Sequence, residues 1–273
     1  MNRQRRRAIV STLAAAGIIV PAQAKLWKPN APAIIRASTL REIAPIKAML
    51  PGFCIPMVTA VAAASAPSFV AAGTSSSGTA NPSPTYPAGI AANDILVLWV
   101  MANSPGTVGA VSGFTAETQV DNGTNNVGAR FFWKRATGSE SGSQSVTVTG
   151  GAGNNAAIIA AYRGCVTSGT PYEGFSCAQS NADANTTHVS PATTTLGANR
   201  LVVRLWAFTE NAGVAVPSGY TEDFESVDST NFLVLTGDSK PVASASTEPA
   251  STRTYASGFN TASLAAGLAF IPA

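Results

Sequence analysis

The sequence predicts an all-β protein: a β-sandwich or jelly roll built from two internally similar halves, preceded by an extended N-terminal arm. Three observations predict it. Only 11% of the 273 residues are charged, and helix-forming Glu, Lys and Leu are scarce beside Ala, Gly, Ser, Thr, Asn and Val. Short apolar runs recur between turn signals, with no amphipathic helical period between them. The later part of the chain also repeats the pattern of the earlier part.

The arm spans residues 1–61. Residues 1–50 carry nine Lys or Arg against the single acid Glu42, a net +8, whereas the other 223 residues carry eight basic and thirteen acidic groups, a net −5. A basic segment is thus joined to a mildly acidic body. Within the first 24 residues, Arg3, Arg5, Arg6 and Arg7 precede the apolar run Ala8–Val20, and Ala22-Gln23-Ala24 follows. These are the three parts of a secretory signal, which predicts cleavage after Ala24; retention as part of a basic arm is the alternative. Thirteen apolar residues are too few to span a bilayer as a helix, so no membrane span is expected.

Between residues 25 and 61 the prolines at 29, 32, 45, 51 and 56, with Pro21 just upstream, exclude long helices and central strands. At most Ser38–Met49 forms one short helix, capped by Ser38 or Thr39 with Glu42 in its first turn. Yet Trp27, Ile34, Ile35, Leu40, Ile43, Leu50 and Phe53 are too apolar for a solvated linker. An apolar segment that cannot build its own core lies on a neighbouring surface, so these residues are read as an assembly arm. Residues 62–84, rich in Ala, Ser, Gly, Thr and Pro, are expected to be a flexible linker.

The body, 85–273, holds half-repeats at about 85–165 and 190–273. Gly89–Val120 aligns with Thr195–Ser226 at a constant offset of 106, so that Asn93 matches Asn199 and Ser112-Gly-Phe-Thr matches Ser218-Gly-Tyr-Thr. Each half closes on an Ala-rich strand, Ala156–Arg163 and Leu264–Ile271. Strands are predicted at Ile95–Ala102, Thr115–Val120, Ala129–Arg135, Ser145–Thr149 and Ala156–Arg163. Their counterparts are Leu201–Thr209, Thr221–Val227, Asn231–Asp238, Thr252–Ser257 and Ser263–Ile271. Ser104-Pro-Gly, Asp121-Asn-Gly, Gly150-Gly-Ala-Gly and Pro217-Ser-Gly supply turns. A single sandwich formed by both halves is the expected arrangement.

Three cysteines stand at 54, 165 and 177. Cys165 and Cys177 flank a Gly- and Pro-containing stretch and form a candidate disulfide, with two separate thiols as the alternative. Tyr172, Glu173 and Phe175 lie within that stretch and form a candidate surface-contact loop.

Ala91-Ala-Asn-Asp-Ile-Leu-Val-Leu, Ser112-Gly-Phe-Thr, Phe132-Trp-Lys-Arg-Ala-Thr-Gly-Ser-Glu and Ala161-Tyr-Arg-Gly together resemble a β-sandwich module of tailed-phage and prophage structural proteins. The segment from Lys25-Leu-Trp-Lys-Pro to Met49-Leu-Pro-Gly is similar to the start of phage tail-associated proteins. The resemblance implies a virion component at the tail tip, fibre or capsid surface. It further implies a homo-oligomer that contacts other virion proteins through the arm and presents the sandwich to a host-surface glycan or protein. The rival expectation is a secreted bacterial adhesin or carbohydrate-binding sandwich.

No catalytic, cofactor or metal site is expected. The lone His188 sits in a polar stretch and reads as solvated; three scattered cysteines and one histidine lack zinc-ligand spacing. Asp121–Asn126 lacks the EF-hand pattern, and Gly150–Gly153 lacks the Lys-Ser/Thr of a phosphate loop. The body has no basic stripe interleaved with aromatics, so no nucleic-acid partner is expected. The acidic run Thr221–Asp228 is the one place where paired carboxylates could sit. On a regular strand Asp223 and Glu225 share one face and Glu222 the other, and a solvated strand edge explains them. Trp99, Trp133 and Trp206 lie in apolar strands and are expected in the core.

Overall fold

A computed structural model describes residues 64–103, 106–122, 127–150, 153–182, 187–209, 215–254 and 261–273. The arm residues Trp27, Ile34, Ile35, Leu40, Ile43, Leu50 and Phe53, like the signal-like first 24 residues, lie outside the described residues.

The described chain is all β, and every strand pairing is antiparallel. The first half contributes β1 (Ser68–Ala72), β2 (Ser76–Gly78), β3 (Ile95–Asn103), β4 (Thr107–Val108), β5 (Thr115–Ala116), β6 (Val120–Asp121), β7 (Val127–Arg135), β8 (Val148–Thr149) and β9 (Asn155–Arg163). The second half contributes β10 (Tyr172–Ala182), β11 (Thr187–Ser190), β12 (Thr193–Thr194), β13 (Arg200–Phe208), β14 (Thr221–Asp228), β15 (Leu233–Val242), β16 (Thr247–Glu248), β17 (Ser251–Thr254) and β18 (Thr261–Phe270).

Each half makes its own sheet. The first sheet runs β1-β9-β3-β7-β5, with β2 added on β9 and β6 on β7; the second runs β10-β18-β13-β15-β14. Taking the five main strands of each half in chain order, both sheets have the same order: first, fifth, second, fourth, third. Registers agree as well. Ile95 pairs with Arg135 and Tyr162, while Leu201 pairs with Pro241 and Phe270. Thr115 faces Trp133 as Thr221 faces Ser239. Both first strands carry an irregularity near their start, between Phe69 and Ala71 and between Glu173 and Ser176.

The two sheets bury their facing sides in one cluster. Alternate residues Ile95, Val97, Trp99 and Met101 of β3 meet Leu201, Val203, Leu205 and Ala207 of β13, with β7, β9, β15 and β18 filling the flanks. This period-2 alternation is what a half-buried strand requires. The outer faces are covered too, which is why β3 reads as a continuous apolar run rather than an alternating one. Over the first sheet, Leu96, Leu98 and Val100 pack beneath Val108, Val111, Phe114, Tyr86 and Val146. Over the second, the small ladders β11–β17 and β12–β16 lie across Trp206, Phe208 and Val202.

Two expectations need correction. Residues 62–84 were expected to link; of these, Ser68–Ala72 and Ser76–Gly78 are strands on β9, and Pro82 and Pro84 are buried. The stretch holding Tyr172, Glu173 and Phe175 is the start of β10, the longest strand, not a loop. Of the strands expected at Ser145–Thr149 and Thr252–Ser257, the structure describes Val148–Thr149 and Ser251–Thr254, which pair with β4 and β11 in the covering layers. The first strand of each sheet lies at its edge, and its few large apolar residues, Phe69 and Val70 in β1 and Tyr172 and Phe175 in β10, stand among Ser, Ala, Gly and Asn, so the apolar signal is weak. The strands of the covering layers are short, and β11 and β17 alternate between buried and exposed positions, unlike the buried runs of the central strands.

Candidate functional site

The motif residues converge on the outer face of the first sheet. Asn93 takes φ +72° in the turn before β3, and Asn199 takes φ +57° at the matching place before β13. Asn tolerates this left-handed region better than other side-chain-bearing residues. The turn lets buried Asp94 accept the Ala91 N–H at 2.8 Å and both arms of Arg163 at 2.9 and 2.7 Å. Arg163 also donates to the Gly89 carbonyl at 2.8 Å, fastening the end of β9 to the start of β3.

From β7, Lys134 places its ammonium 4.9 Å from the Tyr86 ring, 5.3 Å from the Phe114 ring and 3.2 Å from Glu140. Burial works against the Glu140 charge. The N–H groups of Thr137 and Gly138 and the Lys134 ammonium outweigh it and hold this carboxyl down at about 2. The second half repeats the clasp: Lys240 lies 5.8 Å from the Tyr220 ring and 2.7 Å from Glu248. Phe114 and Tyr220 are the aromatic residues of the matched Ser-Gly-Phe/Tyr-Thr turns. The repeat offset, carried on to Lys134 and Lys240, is the signal that reveals the second clasp.

The outer face of the second sheet holds charges that the sequence reading missed. Arg253 of β17 is fully buried and pairs with Asp238 of β15; it reaches Glu222 at 3.5 Å and Glu225 at 4.0 Å, and lies 6.0 Å from the Trp206 ring. Trp206 donates its indole N–H to Asp238 at 3.0 Å. Burial pushes the Asp238 carboxyl up against the pull of Arg253, and burial with Glu225 alongside raises Glu222. Arg204 is buried as well, donating to Thr193 at 2.6 Å, to the Pro249 carbonyl at 3.0 Å and to the Tyr220 hydroxyl at 3.2 Å.

His188 is not solvated. It is fully buried on β11, in register with Arg253, hydrogen-bonded to Ser263 and 5.0 Å from the Phe208 ring. Burial lowers its pKa to about 4. Its polar sequence neighbours hide this, because β11 alternates buried and exposed positions.

The acidic run also departs from the regular-strand expectation. A bulge between Glu222 and Phe224 turns Asp223 toward the first sheet, where it accepts from the Tyr162 hydroxyl at 2.9 Å and from Ser239 at 2.7 Å. Glu222 and Glu225 instead share the outer side, beside Arg253. A bulge shifts the alternation by one residue, so Asp223 and Glu225 no longer face together. Burial raises Asp223 to about 6 despite its two hydrogen bonds. At the opposite margin of the sheets Tyr172 donates to Glu117, the position that corresponds to Asp223 at offset 106.

The remaining candidates resolve as follows. Cys165 and Cys177 are free thiols, and no disulfide joins them. Cys165 bridges Pro272 while Cys177 pairs with Ala266, six residues away along the same strand direction, roughly 20 Å at 3.3 Å per residue. A disulfide tolerates a Cα separation of only about 7 Å. Burial pushes both thiols up to about 12, which keeps them protonated. Tyr172 is buried and Phe175 lies 5.2 Å from Phe131 at a tilt, so both rings face the interior, while Glu173 is ion-paired with Arg200 at 2.8 Å; the three sit on a strand and form no contact loop. Trp99 and Trp206 are buried, and Trp133 is partly buried against the core.

Chemically, these sites fasten. Each carboxylate that faces another is bridged by an arginine or bonded to hydroxyls, and no group of three His, Cys, Asp or Glu side chains among the described residues is arranged to hold a metal ion. No helix among them is long and apolar enough to cross a membrane. Fold and sites define a class: an all-β module with two main sheets of like strand order, whose polar residues clamp loops over them. No family model, curated protein or solved structure matches the chain.

Proposed function

We propose that the chain is a non-enzymatic phage virion structural protein, a tail-tip, fibre or decoration subunit. In this reading the N-terminal arm anchors it to other virion proteins and the two-sheet body is presented outward, as a homo-oligomer, toward a host-surface glycan or protein. The observation that carries the reading is the use made of the phage-like motif residues. Asp94, Arg163, Lys134 and Glu140 are all engaged in pairs that pin loops to the first sheet. A scaffold that must hold its shape outside a cell is served by such clamps.

Deletion of residues 1–60 tests it. The shortened protein is expected to fold and to be absent from assembled particles; normal incorporation would overturn the anchoring role. The signal-like residues 1–24 favour a second reading, a secreted adhesin or carbohydrate-binding module. The N-terminal residue of the native protein separates the two: Lys25 supports export, and Met1 or Asn2 supports a retained arm.

A further inference from the structure

We propose that the inner face of each half is a recognition surface specific for the other half, so that two copies of this chain can exchange halves and form a reciprocal dimer. The partner is thus a second copy of the same chain, and the interface is the one that already joins the two sheets.

The matched topology makes each half a complete sheet, with no strand crossing from one sheet to the other. The only covalent passage between the sheets among the described residues is the segment from Gly164 to Pro171, of which Thr167, Ser168, Gly169 and Thr170 are exposed. Exchange leaves every main-sheet hydrogen bond within its own half; it requires the inner faces to part and this segment to release its bonds to Ile271, Ala273 and Arg135, all of which re-form in the reciprocal dimer.

The two inner faces have the same layout and opposite relief. Large residues of the first half stand where the second half has small ones: Trp99 against Leu205, Phe131 against Gly237, Ile158 against Ala266. The relation reverses elsewhere, with Ala129, Ala156 and Ala160 matched to Leu235, Leu264 and Leu268. Close packing penalises both overfilled and empty positions, so two first halves or two second halves would fit each other poorly. Polar links run both ways across the sheets, and the counterpart of each donor lacks the donor: Tyr172 of the second half donates to Glu117, whereas Phe69, which matches Tyr172 in register, has no hydroxyl. Trp99 donates its indole N–H to the Trp206 carbonyl at 3.0 Å across the sheets, and Leu205, its counterpart, has no donor. Tyr162 reaches Asp223 across the sheets, whereas the residue matching Tyr162 is Phe270, which has no hydroxyl.

The experiment uses the full chain with a protease site in place of Thr167–Gly169, cut after folding. Because the protein is folded before cutting, a folding defect does not confound the result. The two fragments are expected to stay together at 1:1 with unchanged tryptophan emission, and separation in native buffer would overturn the proposal. Two cut preparations, one tagged on each half, are then mixed in moderate urea and diluted. Hybrid complexes of one first half and one second half are expected at close to half of the recovered material. Recovery of parental pairs alone would overturn exchange, and any complex of two first halves or two second halves would overturn the specificity.

Discussion

At the scale of single residues, two buried groups set opposing pH dependences. Asp223 titrates near 6 in the folded chain against 3.8 when unperturbed, so its stabilising contribution is full below pH 3.8 and is lost as pH rises to 6. His188 titrates near 4 against 6.5, so its contribution is full above pH 6.5 and is lost as pH falls to 4. Each amounts to about 3 kcal/mol, and between pH 4 and 6 they largely offset. Asp223→Asn should leave the His188 loss uncompensated, making the variant lose about 3 kcal/mol relative to wild type on going from pH 6 to pH 4. His188→Gln should do the reverse. Urea midpoints at the two pH values read both, and parallel pH profiles for variants and wild type would reject the assignment. Arg253→Ala should cost about 3–5 kcal/mol at neutral pH, because it strands Asp238 in a fully buried position.

At the scale of elements, the paired clasps and the β14 bulge decide how strands meet their covers. Lys134→Ala should destabilise by about 1–2 kcal/mol, since Lys134 sits over two rings and an ion pair. Lys240→Ala should cost about half as much, having one ring beside Glu248. Equal losses by urea titration would show that the second ring over Lys134 contributes nothing. The bulge depends on Gly237, where an added Cβ collides with the Phe224 ring. Gly237→Ala is expected to cost about 1–3 kcal/mol, and Phe224→Leu in the same chain should recover part of it. Failure of that rescue would mean the backbone, not the ring, forbids the methyl.

For the whole molecule, one shared inner cluster implies one cooperative unit in spite of two sheets. Trp99 lies in the first sheet and Trp206 in the second, and both are buried. Unfolding followed separately at Trp99 and at Trp206, in variants in which each is the sole tryptophan (Trp27, Trp133 and the other of the pair replaced by Phe), should give coincident transitions. A gap between the midpoints larger than the cost of the substitutions would show that the halves melt independently.

The sequence by itself determined the all-β class and the central strands, because long apolar runs and the turn residues between them are local signals. Val97, Trp99, Val203 and Leu205 could be placed in a core from their neighbours alone. The tertiary structure decided what lies at the edges and on the outer faces. β1 and β10 are strands because β9 and β18 offer them backbone partners, not because Ser68–Ala72 or Tyr172–Ala182 favour extension strongly. His188 and Arg253 are buried because a two-stranded ladder folds over Trp206 and Phe208, a long-range event without a trace in residues 183–190. Asp223 faces inward because one bulge shifts the alternation, and the two cysteines stay apart because strand register, not spacing, sets their distance. Period and turn chemistry are written locally; burial of polar groups depends on which surface arrives to cover them.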